Sequence, residues 1–419
     1  MRRLKVNQGT VGVERVDTRC CIVGGGPAGM MLGYLLARAG VDVSVLEKHA
    51  DFLRDFRGDT IHPSTLELMH ELGLLEEFLQ RPHDEVRQLN GWIGESRLHL
   101  ADFTHLPTHC KFIAFMPQWD FLDFFAEQAK RYPSFRLLMN TDATDLLVED
   151  GLVTGVRAKS AQGQLAIHAD LTVAADGRHS VVRQKAGLAI VNLGAPMDVL
   201  WMRIARAKSD PPITLGRVEA GKLLAMLNRR TYWQCAFVIP KGGYDEFRAR
   251  GLPAFRAQLA ELAPFLHDRV EELADWEQIK LLTVVVDRLK RWWRPGLLCI
   301  GDAAHAMSPV GGVGINLAIQ DAVAAANILA EPLRMRAAHD DELARVQKRR
   351  EFPTRATQRM QIAVQNNVIK RVLGSTRIKA PWILKLLDRW PLLQRIPARL
   401  IGMGFRPEHA KTPDAQALR

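Results

Sequence analysis

Cysteine is scarce in this sequence and stands scattered: Cys20, Cys21, Cys110, Cys235 and Cys299 are odd in number and form no C-x-x-C pair. That spacing offers neither a disulfide framework nor a cysteine-built zinc site, and a reducing compartment, the cytoplasm, is expected. H-E-x-x-H, G-x-S-x-G and clustered Cys/His signatures are missing too, which sets aside the common zinc and serine hydrolases and leaves no metal site to expect. No apolar run reaches the roughly 20 residues of a membrane span. The basic start (Arg2, Arg3, Lys5) is separated by polar residues 7–19 from the apolar stretch at Cys21, and glycines break that stretch, so no secretion signal is expected. Helix-turn-helix, RNP and zinc-finger patterns are absent. The net charge of +11 therefore reads as a basic surface that attracts anionic cofactors and substrates, with no nucleic-acid partner. Repeats and low-complexity tracts are lacking as well.

What is present is enough apolar material, 47% of 419 residues, for a sizeable core in two connected lobes. Residues 18–23 read as a buried strand, 27–39 as a helix stopped by Gly40, and 41–47 as a second strand. This is a β-α-β unit, whose parallel strands require the crossover helix. Helices are expected at 63–72 and 119–130, and short strands at 136–139, 143–149, 153–159, 164–167 and 171–175, punctuated by Asp150-Gly151 and Gln162-Gly163. A second strand-rich stretch has its clearest strands at 197–205, 223–227 and 232–239. Residues 297–300 return to a buried strand, 315–329 form an alanine-rich helix, and the tail from Asp340 is helical and basic.

Three motifs carry chemistry. Gly24-Gly25-Gly26-Pro27-Ala28-Gly29 is a G-x-G-x-x-G between the first strand and helix. Gly24, Gly26 and Gly29 permit a tight turn and a close approach of pyrophosphate, while Pro27 and Ala28 open a helix whose N-terminal N–H groups face the anion. Glu47, with Lys48 beside it, ends the next strand near the spacing at which a carboxylate accepts from an adenosine ribose. The second motif is Asp176-Gly177-Arg178-His179-Ser180-Val181-Val182-Arg183. The third is Gly301-Asp302-Ala303-Ala304-His305, followed by Pro309-Val310-Gly311-Gly312-Val313-Gly314-Ile315-Asn316.

In this order and at these separations the three motifs resemble the flavoprotein aromatic hydroxylases, the group that includes para-hydroxybenzoate hydroxylase and the polyketide-tailoring monooxygenases. The resemblance covers roughly residues 18–335. It implies an α/β fold: a Rossmann-like FAD-binding domain (18–186, closed by 292–335), a mixed β-sheet substrate domain (187–291) and a helical C-terminal segment (336–419). It also implies that Asp302 accepts from the FAD ribityl or ribose hydroxyls and that Asp176 contacts FAD, with Arg183 bracing that segment. The amides of Gly311, Gly312, Val313, Gly314, Ile315 and Asn316 would face the flavin pyrimidine ring. Gln118 resembles the glutamine on the ribityl chain, and Arg57 the arginine of the loop beside the cofactor. Arg57, His62 and Pro309 are the candidates for a catalytic role.

The implied reaction takes hydride from NADH or NADPH onto FAD and passes one atom of dioxygen, through a flavin C4a-hydroperoxide, to an aromatic or lipophilic small molecule. Without a second G-x-G-x-x-G, the nicotinamide donor is expected to bind transiently. W-x-W-x-I-P is missing, since Trp292-Trp293-Arg294-Pro295 does not match it, so halogenation is disfavoured. A dehydrogenase, reductase or epoxidase on the same scaffold stays open. Met202, Met226 and Trp233, on strands of the second sheet, are the candidates to line the substrate pocket, although alternation leaves open which face does so. Residues 368–406 interleave Lys and Arg with Trp, Leu and Ile. Such a tail either packs on its own domain or lies peripherally on an anionic membrane.

Overall fold

A crossover near the N-terminus organises the larger lobe. In the computed structural model, which describes residues 13–53, 60–211, 215–335, 338–374 and 381–417, strand β1 (Glu14–Val23), helix α1 (Pro27–Arg38) and strand β2 (Val43–Leu46) form the β-α-β unit. Pro27 occupies the first helical turn, where its missing N–H costs nothing. Around β1 grows an eight-stranded sheet in the order Trp293–Arg294, Leu297–Cys299, Gly163–Ala174, β1, β2, Phe135–Leu138. Asp142–Glu149 and Leu152–Ser160 extend it as an antiparallel pair off Gly163–Ala174. The sequence suggests two strands where Gly163–Ala174 is one. Its first half pairs antiparallel with residues 155–160, while residues 165–174 lie parallel to β1, so the polar His168 and Asp170 are carried through.

Helix Gly314–Met335 packs across α1 over this sheet. The segment Val310–Met335 is long and apolar enough to cross a membrane, but 78% of its most apolar window is buried inside the protein, as a core helix requires.

The second sheet has seven strands: Lys280–Leu282, Met197–Ala205, Tyr232–Pro240, Lys222–Asn228, Leu215–Glu219, Gln88–Ile93 and Ser96–Asp102. Two of them come from within 18–186, so the boundaries 18–186 and 187–291 do not divide the chain in space. Those two strands are rich in polar residues and give little apolar alternation. One face of the sheet is closed by helix Leu252–Leu262, which buries Phe255, Leu259 and Leu262 against Trp233, Phe237, Met202 and Met226. The other face carries Val199, Ala236 and Val238 and meets Val310 and Ile369. Helix Asp340–Val364 runs on through a π-helical turn, Gln365–Ile369, to Lys370–Leu373, and helices Trp382–Arg389 and Pro391–Gly402 pack on the edge strand Ser96–Asp102.

Candidate active site

The three motifs lie more than a hundred residues apart in the chain and meet pairwise. Ala175 N–H donates to Val23 O (2.8 Å) and Ile300 N–H to Ala174 O (3.0 Å), which brings the three strand ends level. Arg178 Nη2 stands 3.4 Å from Asp302 Oδ2, closing the contact between the second and third motifs. At the first motif, a Cβ on Gly29 would lie 1.9 Å from Gly24 O, and a Cβ on Gly24, at φ +109°, would lie 2.4 Å from Ala175 O. Both positions exclude any side chain. At Gly26, the N-cap of α1, a Cβ would meet nothing within 4 Å among the described residues, and none of their side chains caps the helix. The first turn of α1 therefore presents bare N–H groups and its positive dipole end to open space. A pyrophosphate fits that cradle.

Glu47 is buried at the rim of the cradle. Its Oε2 accepts from Gly25 N–H (3.2 Å) and its Oε1 from His49 N–H (3.1 Å), while Lys48 beside it is exposed. Asp176 follows the strand Gly163–Ala174. Its Oδ2 accepts from Val182 N–H (3.3 Å), and its buried Oδ1 has no partner among the described residues. Burial pushes its carboxyl above the usual range. Both oxygens of such a group can accept from hydroxyls, and an orphaned one at this place suits a ligand of that kind. Arg183 is buried and braces the segment: Nη2 donates to Arg178 O (2.6 Å) and Nη1 to Ala303 O (3.3 Å). Gln118 is half-buried in the first turn of helix Gln118–Ala129. Arg57 lies outside the described residues.

Asn316 works as a strap at the start of helix Gly314–Met335. Its Oδ1 accepts from His62 N–H (2.9 Å) and Thr65 Oγ1–H (2.7 Å), and its Nδ2 donates to Thr60 O (3.1 Å). His62 itself is fully buried, with Nδ1 2.7 Å from Ile401 O. Burial lowers its pKa to about 4, so the ring is neutral and Nδ1–H donates to that carbonyl. The ring thereby ties the C-terminal helix to this segment, while its buried Nε2 has no partner among the described residues.

Two networks escaped the sequence. Asp321, completely buried, accepts from Gly301 N–H (3.1 Å) and Arg350 Nε–H (2.9 Å) and lies 2.5 Å from His305 Nε2. Burial alone raises its pKa, but His305 and Arg350 together bring it below the usual value. Behind it, Arg350 Nη1 reaches Glu408 Oε1 (3.3 Å). The second network is a row of glutamines. Gln358 donates to Asp287 O (2.7 Å), Gln361 to Ser308 O and Val310 O (2.9 Å each), and Gln365 to Ser308 Oγ (2.6 Å). They fix the loop at Pro309 from outside. Their 358, 361, 365 spacing along one helix face was the signal available in the sequence.

The pocket expectation is corrected by strand alternation. Met202, Met226 and Trp233 are at most 1% exposed, packed under helix Leu252–Leu262 on the face of the sheet turned away from Val310. The facing side carries Trp201, Ala225, Ala236 and Leu223. Both faces of the strands are apolar because both are covered, so the sequence pattern could not choose between them.

A dinucleotide cradle at a strand-to-helix turn, a carboxylate at the next strand end and two further strand-end aspartates define a flavin-adenine-dinucleotide oxidoreductase. The FAD binding domain model matches residues 17–360, and the chain belongs to that family. It is 33% identical over 394 residues to 6-methylpretetramide 4-monooxygenase of Streptomyces rimosus, spanning 92% of this chain and 93% of that protein. Rifampicin monooxygenase of Streptomyces venezuelae is 28% identical over 72% of this chain and 61% of its own length. Among solved structures, anhydrotetracycline hydroxylase OxyS of Streptomyces rimosus superposes with a TM-score of 0.73 at 22% identity, covering 94% of this chain and 78% of that one. PqsL, a probable FAD-dependent monooxygenase from Pseudomonas aeruginosa, gives 0.72 at 22% identity over 85% and 98%. These two share the fold. The protein is a FAD-dependent monooxygenase.

Proposed function

We propose that the chain hydroxylates a fused-ring aromatic substrate, of the kind its polyketide-modifying relative is named for, between the seven-stranded sheet and the loop at residues 309–314. One observation carries the reading. Trp201, Ala236, Ala225 and Gly216 stand in register across four neighbouring strands on the face that meets Val310. Four strands span about 14 Å at the usual ~4.8 Å spacing, and only the first of these side chains projects far from the sheet. A flat, extended molecule suits such a floor better than a branched one.

When bound, FAD supplies hydride acceptance from NAD(P)H and activation of dioxygen. The chain's own residues hold and shield it. The first turn of α1 takes the pyrophosphate, Glu47, Asp176 and Asp302 take hydroxyls, and the N-terminal amides of helix Gly314–Met335 face negative charge with no protein nucleophile or metal called for. The five cysteines, all buried and unpaired, support the cytoplasm as its place.

The test is NAD(P)H oxidation with product analysis across phenols of one to four fused rings. Coupled gain of one oxygen with the three- and four-ring compounds supports the reading. Equal or better coupling with monocyclic phenols refutes it.

A second reading concerns the tail. Trp382, Trp390, Leu392 and Ile396 are each more than half exposed. Residues 381–406 add exposed Lys385, Arg389, Arg395, Arg399 and Arg406 against one acid, Asp388, which is tied to His99. Exposed indoles among cations favour peripheral contact with an anionic bilayer, where a lipophilic substrate would be met.

A further inference from the structure

The chain has one dinucleotide turn, and in the reading above it is taken by FAD, so the electron donor needs a different surface. Along the outer side of helix Asp340–Val364 runs a groove of about 470 Å³, floored by Trp293 and Phe352 and edged by Lys348, Arg355 and Arg359, with Glu351 as its acid. Phe352 is 59% exposed. The Arg291 guanidinium lies 3.6 Å over the Trp293 ring, adding a cation at that end. Beneath the other end sits Arg288, whose pKa is lowered by burial and by the neighbouring Arg355 and Arg359 against the opposing effect of Glu351, which accepts from Arg355 Nη1 (3.3 Å). Three guanidinium groups against the one carboxylate leave this end net positive and suited to a further anion.

The groove's place fits a donor to this site. Arg288 Nη1 donates to Gln358 Oε1 (3.1 Å), and Gln358 holds Asp287 O and Ala306 O. Asp287 in turn lies 3.7 Å from Arg183, the brace of the second and third motifs. The cationic end of the groove is thus linked through Arg288 and Gln358 to the backbone at Ala306, which lies in the chain between Asp302 and Pro309.

We propose that this groove docks the adenosine-phosphate half of NADH or NADPH, with the adenine against Trp293 and Phe352 and the phosphates on Arg355 and Arg359. Aromatic planes beside a cluster of guanidinium groups are the surface that recognises a base joined to phosphates. The proposal rests on the NAD(P)H-dependent monooxygenase reading and adds to it a place for the donor.

The test is anaerobic stopped-flow reduction of the FAD-loaded enzyme at varied NADPH and NADH. The Arg355→Glu/Arg359→Glu double variant is compared with wild type, and the single variant Lys348→Glu serves if the double variant folds poorly. All three positions are exposed and lie outside the FAD cradle. The expected result is a donor Kd raised roughly ten- to a hundredfold in the double variant, the loss of one or two charge-assisted hydrogen bonds. FAD content and the rate of reduction by dithionite should be unchanged. An unchanged Kd overturns the groove alone. Wild-type flavin that neither nicotinamide reduces overturns the underlying reading, and the groove with it.

Discussion

Replacing Asp321 by Asn tests the load on the strand-end turn that carries Asp302. The carboxylate meets three groups, Gly301 N–H at 3.1 Å, His305 Nε2 at 2.5 Å and Arg350 Nε at 2.9 Å, none of which reaches solvent. An amide of the same shape keeps one acceptor and turns the other oxygen into a donor, so it must abandon either Arg350 or the Gly301 and His305 side. Breaking a buried charged pair from one partner costs about 3–5 kcal/mol, because the other charge stays buried. Glu408 still faces Arg350 at 3.3 Å and moderates the loss, which places the expectation at the lower end, about 3 kcal/mol. That is a large part of the roughly 5–15 kcal/mol of a typical domain. Differential scanning calorimetry should show a melting point several degrees lower, and a titration should show weaker FAD binding, since Gly301 loses a fixed partner. Glu408→Gln, two groups further out, should cost less. An Asp321→Asn protein that melts with wild type and binds FAD as tightly would refute the reasoning. The pH sign follows from the lowered pKa of Asp321. The carboxylate's contribution is complete above the unfolded value near 3.9 and disappears as pH falls through the lower folded one.

Trp233→Ala, under helix Leu252–Leu262, should cost about 3–5 kcal/mol in stability and leave the position of hydroxylation unchanged. Ala236→Phe on the opposite face should do the reverse, raising KM for fused-ring substrates at near-normal stability; a product shift in the former and not the latter would invert the assignment of faces. His62, at about 4 in the folded protein against 6.5 in the free side chain, gives stability that is complete above pH 6.5 and is lost as pH falls toward 4. Its linkage is worth up to about 3 kcal/mol, so His62→Gln should flatten the acid limb of a urea-midpoint profile, and an unaltered limb would assign that titration elsewhere. Trp382→Ser/Trp390→Ser should abolish flotation with phosphatidylserine liposomes and leave turnover of soluble substrates intact; wild-type protein that stays at the bottom of the gradient rules the bilayer out.

The motifs were legible because each is a contiguous turn whose backbone demands named residue types, as at Gly29, where 1.9 Å to Gly24 O leaves no choice. The β-α-β unit and helix Gly314–Met335 were legible for a similar reason, long periodic segments with clear stops. What was hidden depends on partners distant in the chain. Nothing near His62 announces that Ile401 will accept its proton, and nothing in Gln88–Ile93 announces that it joins strands more than a hundred residues later. Trp233 was misplaced because a strand covered on both sides gives the same alternation for pocket and core.

The glutamine row has a consequence for modularity. One helix, Asp340–Val364, is stitched through Gln361 to the loop at Pro309 and through Gln358 to Ala306 and Asp287. Through the π turn that follows, it delivers Ile369 to the same face of the sheet as the substrate floor. Chain order puts that helix after the last cofactor motif, as if it were an appendage to be trimmed or exchanged. A chimera joined near residue 338 would instead import a foreign ruler between cofactor and substrate, and its first symptom should be donor consumed without product formed.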